Sequence, residues 1–211
     1  MQILWFDELS STQTYLKDKL AKEELVSPIA IVCAKQTEGI GSRGNTWIGL
    51  ENNLFFSFAY SRDNLPDDLA LESSSIYFSY LLKECLEEMN SKLWIKWPND
   101  FYIKNEKVGG TITSLSRKNL ICGIGLNLEK SPQGFTHLDI KINKKDLLDK
   151  FFKKIENKLS WKQIFSKYKI EFERSKSFHT HYGNSRISLE NAVLNQDGSL
   201  EVNGKRIYSL R

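Results

Sequence analysis

The sequence has few of the residues that mark secreted, membrane-spanning or metal-binding proteins. Its 211 residues include only three cysteines, Cys33, Cys85 and Cys122, each far from the others and inside an apolar segment. This spacing contains no C-x-x-C pair and favours buried free thiols in a reducing compartment over disulfides or zinc. The chain also lacks a secretion signal and any apolar run near the ~20 residues that span a bilayer. We therefore expect a cytoplasmic protein without a membrane partner.

A large excess of one charge is missing as well. Thirty Lys and Arg residues against 26 Asp and Glu leave a formal net charge of +4. A dedicated nucleic-acid binder normally concentrates its basic residues on one face. Here the basic residues at 141–158 alternate with apolar ones at helical spacing, which is typical of a solvated helix face. His179 and His181 have no third ligand at a suitable spacing, so we expect surface histidines rather than a metal site.

What the sequence does contain is an ordinary mixture of 40% hydrophobic and 27% charged residues, which predicts a compact fold. Short β-branched and apolar runs predict strands at 1–6, 29–36, 54–60, 93–97, 101–103, 107–115 and 119–127. Short polar turns separate the later strands in this series. We therefore expect these later strands to be antiparallel neighbours.

Apolar residues that recur every three or four positions predict four helices. Ser10 and Gln13 have the spacing of a capping box that begins the first helix. Pro66 is typical of the first turn of a helix and is predicted to begin the second. The third and fourth are expected at about 144–159 and 160–174, with Ser160 as an N-cap.

After residue 182 the pattern changes to short strands around two hairpin-turn signals, at 195–198 and 203–204. Strands and helices do not alternate regularly along the chain, which favours an α+β fold over a doubly wound one. We predict a main domain at residues 1–182, with a mixed, mainly antiparallel sheet flanked by helices. A small β domain is predicted at residues 183–211.

The segment from Gly39 to Trp47, GIGSRGNTW, has the spacing of two nucleotide-binding patterns but the context of neither. A dinucleotide fingerprint requires a helix directly after the glycines, whereas a second strand follows here. A phosphate-binding P-loop requires a lysine where this chain has Asn45. What remains is a glycine-rich loop whose backbone N–H groups can hold an anion as a nest. A plain flexible hairpin is the alternative that this segment alone leaves open.

A set of motifs in a fixed order is more informative. KWPND stands at residues 96–100, K-x-G-G from Lys107 to Gly110, and GIGLN ends at Asn127. They follow SST at residues 10–12 and QTEGIGSRGNTW at residues 36–47. With these motifs the chain resembles the biotin protein ligases over about residues 5–130. The combination of KWPND with the K-x-G-G that follows it is highly specific.

The resemblance implies the class II synthetase-like fold of biotin and lipoate ligases, with a reduced SH3-like C-terminal domain. It implies a biotin–[acetyl-CoA carboxylase] ligase that uses ATP, biotin and Mg²⁺. In such enzymes the biotin carboxylate attacks the α-phosphate of ATP, giving biotinyl-5′-AMP and pyrophosphate. A lysine of a biotin carboxyl carrier protein then takes the biotinyl group. The chain begins directly before SST, so DNA binding by a preceding helix-turn-helix is not expected, and a homodimer is left open.

Biotin-contacting residues follow from the resemblance, position by position. The expected set combines polar side chains, glycines and one lysine: Ser11, Thr12, Gln36, Gly39, Gly41, Lys107, Gly109 and Gly110. The polar members would meet the ureido group in an otherwise apolar pocket. The glycines would let the backbone approach the ligand, although Gly109 and Gly110 also fit a β-bulge.

Catalytic and nucleotide-binding residues are implied in the same way. Lys107 matches the family's catalytic lysine, a cation that lets the carboxylate and the α-phosphate meet. Asp100 would orient Lys107 or hold Mg²⁺. The expected nucleotide contacts are Arg43, Trp47, Asn99, Lys107 and Asn127. Ordinary structural roles, as a core tryptophan or as turn residues, are the alternatives for Trp47, Asn99 and Asn127.

The glycine loop departs from the family pattern G-R-G-R-x-G-R-x-W, because Ile40, Ser42 and Asn45 replace its arginines. We hypothesise that Arg43 takes their catalytic role at the adenylate phosphate. Two other functions fit parts of the sequence. One is a lipoate ligase or octanoyl transferase of the same architecture, and the other is a non-catalytic module that holds biotin or RNA.

Overall fold

The structure is a computed structural model that describes residues 1–183 and 185–208, except for the side chain of Arg43. Its first nine strands, in chain order, are β1 (Gln2–Leu9), β2 (Ile29–Gln36), β3 (Gly39–Ile40), β4 (Thr46–Trp47), β5 (Leu54–Ser61), β6 (Trp94–Lys96), β7 (Asp100–Ile103), β8 (Glu106–Ser116) and β9 (Asn119–Leu126). Seven of them form one sheet in the order β1-β2-β5-β9-β8-β7-β6. β1 and β2 are parallel and the other pairs antiparallel, which confirms the predicted mixed, mainly antiparallel sheet.

The sheet is covered by helices on both faces. The helices are α1 (Thr12–Ala21), α2 (Ser74–Glu88), α3 (Lys144–Glu156) and α4 (Trp161–Phe172). α1 packs Leu16 and Leu20 on one face, while α2, α3 and α4 share the larger core on the other. Because β5 lies between β2 and β9 under both layers, all eight of its residues, LFFSFAYS, are buried.

Several boundaries differ from the sequence prediction. Ser11 rather than Ser10 is the N-cap of α1, since its Oγ accepts from Thr14 N. The Gln13 amide cannot close the predicted capping box because it points inward and donates to Ser114 Oγ at 3.3 Å. Strand β6 ends at Lys96, before Trp97.

The second helix begins eight residues later than predicted. Pro66 lies outside it, and α2 starts at Ser74 after a short 3₁₀ turn at Leu71–Ser73. The residues after Pro66 serve another helix instead. The Asp68 carboxylate accepts from the backbone N–H groups of Trp161 and Lys162, where α4 has unpaired donors. The N-cap prediction at Ser160 is confirmed, with a complete capping box.

The C-terminal strands form two small sheets. They are β10 (His179–Tyr182), β11 (Ser185–Ser188), β12 (Val193–Leu194), β13 (Leu200–Val202) and β14 (Lys205–Ile207). β10 pairs with β11 and β13 pairs with both β12 and β14. Leu189, Leu200 and Ile207 join the main hydrophobic core. The boundary at 182/183 therefore stays a prediction, and residues 184 and 209–211 of the predicted β domain lie outside the described residues.

The cysteine and histidine predictions agree with this fold. Cys33, Cys85 and Cys122 are buried and free. Burial raises the pKa of each thiol, that of Cys85 to about 12, so all three are protonated at neutral pH. His179 and His181 are exposed. Within residues 1–183 and 185–208 no helix is long and apolar enough to span a bilayer.

Candidate active site

A cavity of about 360 Å³ opens above the middle of the sheet. Backbone and side chains from α1, the glycine loop, β5, β7, β8 and β9 enclose it, and it contains these residues from the sequence prediction: Ser11, Thr12, Gln36, Gly41, Trp47, Asn99, Asp100, Lys107 and Gly110. Two groups of polar side chains lie on it. We call Thr12, Gln36 and Ser57 the polar cluster, and Asn99, Asp100 and Lys107 the charged cluster. In the strand order β5-β9-β8-β7, Ser57 on β5 lies three strand spacings, roughly 14 Å, from Asp100 on β7 and two spacings from Lys107 on β8.

The polar cluster is a continuous chain of hydrogen bonds from Gln36 through Thr12 to Ser57. The backbone N–H and the Oγ1 of Thr12 both donate to Gln36 Oε1, at 2.8 and 3.1 Å. Thr12 Oγ1 also lies 2.8 Å from Ser57 Oγ. Since a backbone N–H can only donate, the Gln36 oxygen is fixed on the Thr12 side and its NH₂ group is left to donate elsewhere.

The direction of the remaining bond follows from the same reasoning. Thr12 has a single hydroxyl proton, which it gives to Gln36, so Ser57 must donate to Thr12. Ser57 Oγ then keeps its lone pairs for a further donor. The cluster therefore offers a ligand one amide donor and one hydroxyl acceptor, which matches the C=O and N–H groups of a cyclic urea.

Two glycines of β9, Gly123 and Gly125, leave room for side chains that lie across the floor of the cavity. A Cβ on Gly123 would lie 2.6 Å from Gln13 Oε1 and 3.1 Å from Ser57 Oγ. A Cβ on Gly125 would lie 2.9 Å from the Trp47 indole. The distances of 2.6 and 2.9 Å are shorter than real Cβ contacts, so the GIG pattern of β9 makes room for the side chains of Gln13 and Trp47 that lie over the strand.

The charged cluster sits on the hairpin formed by β7 and β8. Lys107 Nζ lies 2.6 Å from Asp100 Oδ1, while Lys96 Nζ lies 3.9 Å from Asp100 Oδ2. The pairing of β7 with β8 shifts register between Phe101 and Tyr102, a bulge next to Lys107. The short ion pair with Asp100 fixes the Lys107 ammonium group at the cavity wall.

Asn99 lies in the turn between β6 and β7 and is hydrogen-bonded to Thr111 of β8. Its backbone carbonyl accepts from Thr111 N at 2.9 Å, and its Nδ2 donates to Thr111 O. The remaining amide oxygen, Oδ1, is buried without a hydrogen-bond partner. Asn99 therefore holds Asp100 in place and presents an acceptor at the cavity.

Two aromatic rings complete the wall beside the charged cluster. Trp47 and Phe135 meet edge to face, with ring centroids 6.0 Å apart and planes at 83°. Lys107 Nζ lies 5.9 Å from the Trp47 ring centroid. The Trp47 indole N–H is buried without an acceptor. These rings present an apolar surface to a flat ligand next to a positive charge.

The remaining predicted residues lie elsewhere. Gly39 faces the backbone of Trp47 across the β3–β4 pair, and Gly109 packs against the Gly125 carbonyl between strands. Neither of them lines the cavity. The Arg43 side chain, predicted as catalytic and as a phosphate contact, lies outside the described residues.

The Asn127 side chain lies behind the cavity wall. It is fully buried, donates to Thr136 O at 3.2 Å and accepts from Asn53 Nδ2 at 3.3 Å. Asn53 Oδ1 in turn accepts from Leu128 N at 2.9 Å. The two asparagines thus hold the segment that carries Phe135 against the cavity.

Sequence reasoning did not identify several residues on the cavity, among them Gln13, Ser57, Gly123 and Phe135. Ser57 had a detectable signal, because it is a lone hydroxyl in the otherwise apolar strand LFFSFAY. Gln13 was interpreted as a helix cap. Phe135 stands in an irregular loop, where no periodicity indicates which way a side chain points.

A match to the family model described as "Biotin/lipoate A/B protein ligase family" covers residues 5–128. This is more than half of the chain, so the protein belongs to that family of protein ligases. Its residue pattern, its sheet and its cavity are consistent with that membership.

Among individual proteins, the chain is similar to the Helicobacter pylori biotin acetyl coenzyme A carboxylase synthetase, crystallised with biotinylated ATP. The two are 41% identical with a TM-score of 0.94, over 98% of this chain and 99% of that one. The Aquifex aeolicus biotin protein ligase, solved with biotin and ATP, is 27% identical with a TM-score of 0.75, over 100% and 98% of the two chains.

Curated relatives are longer than this chain. The bifunctional ligase/repressor BirA of Escherichia coli is 29% identical over 127 residues, 57% of this chain and 38% of BirA. Biotin–protein ligase 2 of Arabidopsis thaliana is 28% identical over 177 residues, 74% of this chain and 52% of the relative. The chain therefore spans about half or less of the length of these relatives.

Proposed function

We propose that the protein is an ATP-dependent biotin ligase. It forms biotinyl-5′-AMP from biotin and ATP, and then transfers the biotinyl group to a lysine of the biotin carboxyl carrier protein of acetyl-CoA carboxylase. The observation that carries the proposal is the presence of both clusters on one cavity. The polar cluster suits the ureido group of biotin, and Lys107, held 2.6 Å from Asp100, suits the reacting anions.

The first step brings two negative groups together. A biotin carboxylate oxygen forms a bond to the α-phosphorus of ATP, and the bond from that phosphorus to the β-bridging oxygen breaks, releasing pyrophosphate. A carboxylate and a phosphate repel each other, so a fixed cation between them lowers the barrier. Lys107 supplies that cation without needing to reorganise, because Asp100 already holds its ammonium group.

In the second step, the amine of a carrier lysine attacks the acyl carbon of the mixed anhydride. The C–O bond to AMP breaks and the amine loses a proton, giving an amide. The edge-to-face pair of Trp47 and Phe135 would cover the adenylate and keep water from the anhydride in the interval.

Asp100 fits the orienting role better than the metal-binding role. Both of its oxygens face lysine ammonium groups, Lys107 at 2.6 Å and Lys96 at 3.9 Å. Among the described residues no group of three or more His, Cys, Asp or Glu side chains could hold a metal ion. We therefore assign Asp100 the orienting role rather than a role as a Mg²⁺ ligand. Mg²⁺ characteristically binds triphosphate oxygens and water, so it would enter as the magnesium salt of ATP.

Exchange of labelled pyrophosphate into ATP tests the first step. We expect exchange that depends on biotin and that neither lipoate nor octanoate supports. Exchange with lipoate or octanoate instead of biotin would assign the chain to the related ligases. A protein that binds biotin without any exchange would be the non-catalytic module. Addition of an apo-carrier domain after the first step tests transfer, read as a mass increase of one biotinyl group.

A further inference from the structure

The segment from Asn195 to Ser199, which we call the C-terminal turn, is inserted among the elements of the main core. Three successive carbonyl oxygens of this turn accept from core side chains: Gln196 O from Trp161 Nε1 at 2.7 Å, Asp197 O from Ser73 Oγ at 2.7 Å, and Gly198 O from Trp97 Nε1 at 2.8 Å. The fit is close, since a Cβ on Gly198 would lie 2.7 Å from Ile76 Cδ1. With φ at +79°, Gly198 also occupies a conformation that favours glycine.

Of these three donors, Trp97 adjoins the charged cluster. Its side chain is fully buried, and its backbone N–H donates to Ser175 Oγ at 3.0 Å. It therefore has a partner for each of its N–H groups, and both partners come from the last 40 residues of the chain. Asn99 and Asp100 follow after one intervening proline.

The strand before Trp97 is anchored from the same side. Ile95 N donates to Glu171 Oε1 at 2.6 Å, and Glu171 Oε2 pairs with Lys83 at 3.2 Å. Both side chains of this ion pair are about nine-tenths buried. The KWPND segment is thus held from behind by α4, by the residues after it and by the C-terminal turn, while its front faces the cavity.

We propose that the C-terminal turn, together with Ser175, is a positioning element of the active site. Through Trp97 it fixes the segment that carries Asn99 and Asp100, and through Asp100 it fixes the Lys107 ammonium group. This inference rests on the proposed function. Trp97 does not line the cavity, so it is a positioning residue rather than a catalytic one. A displacement of about 1 Å at reacting groups can lower a rate about a hundredfold.

Two tryptophans offer a matched test. Trp97→Phe and Trp161→Phe each remove one indole N–H that donates to a neighbouring carbonyl of the same turn. Only the first lies next to the charged cluster. In full-length protein, we would measure the thermal midpoint of unfolding together with kcat and KM in biotin-dependent exchange. We expect similar losses of midpoint, but a kcat lower by about tenfold or more only for Trp97→Phe, with the KM for biotin unchanged.

A second pair of substitutions removes a side-chain hydroxyl in each case and leaves the volume of the core nearly unchanged. Ser175→Ala deletes the acceptor of the Trp97 backbone N–H, whereas Ser73→Ala deletes a donor to the C-terminal turn. We expect a lower kcat for Ser175→Ala than for Ser73→Ala. This pair decides the question if Trp97→Phe does not fold.

The outcomes separate the two proposals. If the wild-type protein shows no biotin-dependent exchange, the proposed function fails and the positioning role fails with it. If the wild type is active while Trp97→Phe and Ser175→Ala keep the kcat of their controls, only the positioning role is overturned. The C-terminal turn would then contribute to stability alone.

Discussion

The polar cluster and the charged cluster are held by different parts of the chain. Thr12, Gln36 and Ser57 bond to one another, and all three belong to the first 57 residues. The charged cluster follows the segment 95–97, which Glu171, Ser175 and Gly198 hold from behind. One cluster is therefore organised within the first 57 residues, whereas the other depends on residues 76 to 101 positions away.

This difference separates binding from chemistry. A change in the polar cluster should alter the affinity for biotin and leave the reaction rate almost unchanged. A change in the charged cluster or its rear support should lower kcat with little effect on the KM for biotin. Kinetic constants measured for single substitutions can therefore test the comparison directly.

Lys107→Ala should give the largest effect. Loss of the Lys107 ammonium group, which we propose lies between carboxylate and phosphate, is expected to lower kcat in biotin-dependent exchange by about 10²–10³-fold, as for other preorganised donors. The KM for biotin should change little, because the polar cluster is intact. Lys104→Ala is the matched control, since Lys104 is exposed at the tip of the same hairpin. Equal activity of the two variants would remove Lys107 from the mechanism.

Asp100→Asn should have the next largest effect. The substitution keeps the size of the side chain but loses the charge that holds the Lys107 ammonium group at 2.6 Å. We expect a kcat about tenfold lower in biotin-dependent exchange. Asp100→Glu, which retains the charge, should recover part of the loss. An Asn variant as active as the wild type would show that Lys107 needs no orienting carboxylate.

Ser57→Ala should act at the other cluster. It removes the hydroxyl acceptor that we assign to a ureido N–H, a loss of about 1–3 kcal/mol. The KM for biotin should rise roughly five- to a hundredfold at constant kcat. Ser79→Ala is the control, because Ser79 Oγ forms a buried hydroxyl pair of the same 2.8 Å length with Thr111 but does not line the cavity. Equal KM values for the two variants would exclude Ser57 from biotin binding.

The sequence predicted the sheet and much of the cavity for identifiable reasons. KWPND and K-x-G-G are contiguous motifs, so Asp100 and Lys107 could be assigned before their distance was known. β5 was recognised because burial on both faces produces an uninterrupted apolar run. Long-range partners left no such signal. The bond from Trp97 to Gly198 joins positions 101 residues apart, and nothing in the local pattern indicates it.

The differences between predicted and observed positions also have long-range causes. Pro66 is an acceptable first helical residue, but Asp68 is needed at the N-terminus of α4, so the chain delays α2 to Ser74. Asn127, predicted as the last residue of its strand, follows β9 by one residue, and a position at a strand end does not determine which way a side chain points. Tertiary contacts decided both cases.

The smallest predicted effect is that of Asp197→Asn, a substitution in the C-terminal turn whose effect on stability should depend on pH. Although burial alone would raise it, the pKa of Asp197 is lowered by hydrogen bonds from Ser199 and by Arg206, whose guanidinium lies 2.7 Å away. A lowered folded-state pKa stabilises the fold above the ordinary carboxyl pKa of about 3.9, and the contribution is lost as the pH falls through the folded value. Asp197→Asn should thus lower the unfolding midpoint by about 1–3 °C at pH 7. The difference from the wild type should shrink below pH 4.

In exchange assays at pH 7 the same variant should lower kcat slightly and leave the KM for biotin unchanged, because Asp197 belongs to the C-terminal turn that supports Trp97. A raised KM for biotin would contradict the separation of the two clusters.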